Sequence, residues 1–172
     1  MKNIIKLLFV GLILISFTQS FAQGKYKFGH IDSNQLLSIM PEREKAQKEL
    51  EKIASELEKE LEAMQVEFNN KYQDYLAKVD SLSDLIKQTK EAELQEIQQR
   101  IQSFQATAQQ ELQNKETELI KPIIEKAQNA IKEIAKENSF TYIFDTGTGV
   151  VLYFSDDSQD IFPLVKKKLG IE

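Results

Sequence analysis

The chain has 172 residues and no cysteine, and 22 basic against 27 acidic side chains leave it at −5. Without thiols it has no disulfides, thiolate metal sites or thiol chemistry. A net acidic chain is a poor ligand for nucleic-acid phosphates, whose affinity comes from Lys and Arg.

Residues 1–22 read as a secretory signal peptide. Lys2 and Lys6 precede an uncharged apolar run, Leu7 to Phe17, and small Ser20 and Ala22 flank an expected cut before Gln23. The run is shorter than the ~20 apolar residues a membrane span needs. Removing the leader takes two lysines and no acid, so the mature net charge is −7. The mature protein is expected to be soluble and exported.

"KYKFGHI" (25–31) reads as a strand. Beyond it, 80 residues without Gly or Pro separate Pro41 from Pro122, rich in charge, Gln, Leu and Ala. That composition predicts one or two long helices. Ala46, Leu50, Ile53, Leu57, Leu61, Met64, Phe68, Tyr72, Tyr75 and Val79 form an apolar stripe repeating every 11 residues. Eleven residues in three turns is about 3.67 per turn, which asks for a nearly straight helix rather than a heptad supercoil.

The second half carries the same period, through Ile86, Ile97, Ala108 and Leu119 and through Ile101, Leu112, Ile123 and Ile134. Folding the chain back between Leu82 and Ser83 sets Phe68 against Ile97, Met64 against Ile101, Leu61 against Phe104, Leu57 against Ala108 and Ile53 against Leu112. Val79 meets Ile86 and Ala46 meets Leu119 in the same register, so an antiparallel helical hairpin is expected. "DSLSD" at the midpoint supplies capping residues, with Ser81 or Ser83 available to cap the returning helix. The arms then run 42–79 and 84–121, about 57 Å each. Pro122, which lacks the helical donor, is expected to mark re-entry into the body.

Three stripe positions lack an apolar mate: Leu50 faces Lys115, Tyr75 faces Lys90 and Tyr72 faces Glu93. Either lysine stems cover the rings, as amphipathic side chains commonly do, or an apolar surface is left open for a guest. Tyr72, Tyr75, Leu76 and Val66, the last almost opposite the stripe, are the candidates for guest contact.

After the arm, "FTYIFD" (140–145) and "VVLYFS" (150–155) read as a β-hairpin closed by "TGTG". "SQDIFPLVKKKLG" (158–170) reads as a terminal helix with Ser158 as N-cap and Gly170 past its end. Residues 23–41 and 122–172 thus form a small α/β body split by the arm 42–121. Phe28, Ile31, Tyr142, Phe144, Val151 and Tyr153 are the residues expected to build it and to join copies.

Chemistry is sparse. His30, the one histidine, lacks the convergent groups a catalytic site requires. No Gly-rich phosphate loop occurs. "FDTGT" (144–148) matches the Asp-Thr-Gly of aspartic proteases, but those are nearly all β, and "TGTG" is explained by turn-forming glycines. No enzyme, cofactor or metal is expected.

The order of parts resembles the Skp/OmpH family of periplasmic chaperones, most of all its Bacteroidetes-type members. The likeness lies in "KFGHID", "SNQLLSIMPE", the returning "IQQRIQSFQATAQQEL", "LIKPIIEKAQNAIKEIAKE" and the closing "FTYIFD…VVLYF". It implies an α+β homotrimer whose strands build a β-barrel body, from which the helical hairpins hang as tentacles. It also implies ATP-independent holding of unfolded outer-membrane proteins, with a weak membrane-surface contact as a further expectation. One departure is plain: residues 60–105 carry five Lys or Arg against nine Asp or Glu, so capture of acidic clients or lipopolysaccharide by a cationic arm is not expected here. The competing reading is a structural coiled-coil hairpin, an adaptor of the cell envelope.

Overall fold

The computed structural model describes residues 26–171; the expected leader lies outside them. In chain order the elements are β1 (Phe28–Ile31), α1 (Ser33–Ser38), α2 (Pro41–Lys78), α3 (Asp84–Glu137), β2 (Tyr142–Asp145), β3 (Gln159–Asp160) and α4 (Phe162–Lys168).

Local chemistry starts each helix. The Asp32 carboxylate caps α1 by accepting from the Gln35 N–H at 2.9 Å. Pro41 opens α2, where its missing donor costs nothing, and Glu42 and Glu44 face the positive end of the helix dipole. At the far end a 3-10 turn, Val79–Ser81, reverses the chain. Ser81 Oγ donates back to the Lys78 carbonyl. Ser83 occupies the N-cap position of α3 with no side-chain cap bond, so the capping expected of Ser81 or Ser83 is not made through a hydroxyl.

α2 and α3 run side by side in opposite directions. Tyr75 reaches Glu91 at 2.6 Å, Lys71 lies 3.9 Å from Glu93, and Arg100 bonds Glu67 at 3.0 Å. At the base Lys126 pairs with Glu42. These pairs are solvent-exposed, so each contributes little to stability.

The arm re-enters the body at Pro122, yet the helix does not stop there: α3 runs through the proline to Glu137. An internal proline costs about 3 kcal/mol. Buried Ile123, Ala127, Ala130 and Ile134 lie just beyond it at 4, 3 and 4 residue spacing. This stripe clamps the helix onto the body and offsets that cost.

The body is a three-stranded sheet, order β2-β1-β3, with every pairing parallel. One face packs inward: Ile31 joins Leu36, Met40, Ile161 and Val165, all essentially solvent-free, against the buried stripe of α3. Gly29 allows the sheet to pack closely, since a Cβ there would sit 2.9 Å from the Phe140 ring and 3.1 Å from Ile161. Helix α3 closes with Ser139 in the left-handed region, φ 57°, and Asn138 bonded back to the Ile134 carbonyl.

The expected β-hairpin is absent. β2 pairs with β1, and 150–155 forms no strand. The reason is topological: the chain leaves β2 at one sheet edge and must reach β3 at the other. The segment therefore crosses the sheet's face, where the Phe154 ring stacks on His30 at 4.0 Å. The terminal helix is also shorter than expected. Residues 159–160 are β3, and the first free N–H of α4, on Phe162, is met by Asp160 at 2.8 Å. Ser158 Oγ instead bonds His30 Nδ1 at 2.9 Å. Gly170 lies past the helix end with φ 68°, as its position predicted.

Candidate functional surfaces

Among the described residues, two apolar surfaces stand open, one at the free end of the helical pair and one on the body.

Along the helical pair, Ile97 is buried, while Leu57, Leu61, Met64, Phe68, Ile101, Phe104, Ala108 and Leu112 are half-buried. Two helices can cover each other on one side only, so the seam stays partly wet. Near the turn the covering fails. Tyr72 is 41% exposed, Leu76 47%, Ile86 46% and Leu85 74%, with Val66 at 51% further up α2. Tyr72 lies flat against Phe68, ring centroids 6.0 Å apart, which extends the seam outward to solvent. Tyr75 is half-buried and its hydroxyl donates to Glu91; that carboxylate holds the phenol above its usual pKa. Lys90, the expected cover for Tyr75, turns to Glu93 at 3.0 Å and holds that carboxyl below its ordinary range.

Leu85 and Ile86 were not expected at this surface. Ile86 is the seam mate of Val79 in the expected register, yet it is half in water. Adjacent apolar residues at the start of a helix point about 100° apart, so the seam cannot take both. That dipeptide was the available signal.

On the body, the sheet's outer face carries an aromatic cluster. Phe28 stacks near Tyr26, Tyr142 and Phe144 with centroids 6.2–6.4 Å apart. All four rings are exposed, Tyr26 at 72% and Tyr142 at 62%. The crossing segment adds Val150, Leu152 and Tyr153 at 79%, 95% and 82% exposure. Together they border a cleft of about 610 Å³ lined by Phe28, Phe144 and residues 150–155. Of the residues expected to join copies, Phe28, Tyr142, Phe144 and Tyr153 lie on this open face, and Val151 is half-buried beside it. Ile31 does not: at 1% exposure it sits in the chain's own core, because side chains alternate along a strand.

Asp145, the acid of the protease-like tripeptide, is bound up locally. Burial pushes its carboxyl up, but Ser33 Oγ at 2.5 Å, the Ser33 N–H at 3.1 Å and the Gly147 N–H at 2.9 Å donate to it. They outweigh burial and hold its pKa below the ordinary value. The carboxylate ties the end of β2 to the start of α1. His30, bonded to Ser158 and stacked on Phe154, similarly tethers the crossing segment.

A small sheet carrying a pair of long antiparallel helices, with open apolar surfaces at both ends, is the architecture of a binding protein. The model of the OmpH-like outer membrane protein family matches residues 27–169, and the chain belongs to that family. It is similar to the chaperone protein Skp of Vibrio cholerae serotype O1, with 26% identity over 154 residues, covering 86% of this chain and 89% of the relative. Its fold matches the crystal structure of an OmpH-like outer membrane chaperone from Caulobacter crescentus, with a TM-score of 0.72 at 14% identity, covering 84% of this chain and 83% of the other.

Proposed function

We propose that this protein is an ATP-independent holdase of the periplasm. It binds unfolded outer-membrane β-barrel precursors and keeps them soluble in transit. Family membership supports a chaperone role. The observation that carries the reading is the exposure of Tyr72, Leu76, Leu85 and Ile86 at the free end of the helical pair. A soluble helix turn has no folding reason to display four large apolar side chains, and such patches mark contact sites.

The body serves assembly in this reading. Three copies bring their aromatic sheet faces and crossing segments together, the strands close into a barrel, and the helical pairs hang from it around a shared cavity. Two features support self-association: the exposed cluster of Tyr26, Phe28, Tyr142 and Phe144, and the almost fully exposed Leu152. A body of about 70 residues also has a core too small to be comfortable alone. The domain division follows: a cleaved leader, a composite body from 23–41 and 122–172, and a client-binding arm.

The test is suppression of aggregation when a urea-unfolded β-barrel protein is diluted into buffer. The wild-type protein should keep it soluble. Leu76→Ser with Ile86→Ser should lose most of this capacity at unchanged helicity. Full activity in that variant would remove the tip from the mechanism.

A further inference from the structure

Resting on the chaperone reading, we infer that α3 carries a second client-binding surface, an uncharged face of glutamine amides that holds unfolded polypeptide by its backbone.

Eight glutamines lie between residues 95 and 113. At 100° per residue they fall within about 140° of the helix circumference. Gln95, Gln99, Gln102, Gln110 and Gln113 point away from α2, opposite the buried Ile97, and Gln98, Gln105 and Gln109 adjoin them on one flank. All eight are exposed. The charged residues of the segment, Glu96, Arg100 and Glu111, lie on the other flank; Arg100 is drawn across to Glu67. The residues of α2 lying alongside differ sharply: the 19 positions from 52 to 70 hold seven ionised side chains, against three in the 19 from 95 to 113. The helical pair therefore has a charged side and a neutral one, about 27 Å long.

Helix formation does not require this. Glu, Lys and Gln have nearly equal helix propensity, and charge serves solubility better. An amide, however, offers a donor and an acceptor together, matching the N–H and C=O that every residue of an unfolded chain presents. Of the eight amides, Gln110 is engaged within the arm, donating to Asn114 at 3.0 Å. A neutral face also meets clients of either charge without repulsion, which the acidic remainder of the arm does not.

The experiment measures binding by the mature protein of a labelled, urea-unfolded β-barrel chain, in plain form and with a run of glutamates or lysines appended. The wild type should bind all three within about threefold, changing less than about twofold between about 0.05 M and 0.5 M salt. Gln95→Ala, Gln99→Ala, Gln102→Ala and Gln113→Ala together should weaken all three at least about fivefold. Helicity and assembly mass should not change. The matching four-fold Gln→Glu variant should lose the glutamate-tailed probe first and become salt-sensitive. Unchanged affinity in the alanine variant overturns the inference. So does an altered assembly mass with unchanged affinity, which would make the face a contact between copies. Failure of the wild type to bind any probe removes the chaperone reading itself, a result distinct from failure of the glutamine face alone.

Discussion

Single residues tune how tightly the body closes. Gly29 admits the Phe140 ring, over which Lys27 Nζ sits at 4.0 Å. Gly29→Ala should therefore lose about 1–3 kcal/mol through forced repacking, read as a lower urea midpoint. Asp145 makes a prediction with a sign. Its pKa is depressed in the folded state, so its contribution is fully present above the unfolded value of about 3.9 and is lost as pH falls through the folded value. Asp145→Asn should cost about 1–3 kcal/mol at neutral pH. It should also flatten the fall in stability below about pH 4; an unchanged acid limb of the stability profile would contradict the role given to Ser33 and Gly147. The sequence raised this aspartate for protease chemistry. The chemistry around it is a set of donors from α1 and the following turn, groups more than a hundred residues distant or invisible as backbone.

The long helices were the most legible elements, because an 11-residue period over some 40 residues leaves few alternatives. The turn near Leu82 was legible from its capping residues, although hydrogen bonds from serine hydroxyls do not make the cap. Pro122 stands where the arm re-enters the body, but its local penalty does not break the helix, because the four buried residues that follow hold it in place. Strand existence could be read at 28–31 and 142–145, but pairing could not. Alternation along a strand identifies its faces and says nothing about its neighbour, and "VVLYF" has strand composition whether or not a partner edge lies within reach. At the free end, the Leu85–Ile86 pair shows where a one-sided seam runs out of room. Ile97, the buried seam residue nearest the middle of the pair, makes this testable. Ile97→Ala should cost about 2–3 kcal/mol and raise amide exchange on both helices. Val66→Ala, at an exposed site, should stay within about 0.5 kcal/mol.

At the scale of the whole molecule, the body and the free end of the helical pair divide the labour in the proposed reading. In that reading the body's open aromatic face joins copies of the chain, and the helical pair presents apolar tips and a neutral glutamine side. Phe28→Ser with Tyr142→Ser should shift the assembly toward monomers in light scattering while leaving far-UV helicity intact, since neither side chain supports the chain's own core. Mean hydropathy of −0.40 means these apolar patches stand out from a polar background. No helix among the described residues is long and apolar enough to cross a membrane.

The most direct measurement places a photo-crosslinking amino acid at residue 85, at residue 76 and at residue 132 on the body-proximal part of α3, then adds a urea-unfolded β-barrel chain. Crosslinks at 85 and 76, absent at 132 and lost when the barrel is folded first, are the predicted result. Crosslinks confined to 132, or equal for folded and unfolded barrel, would contradict it.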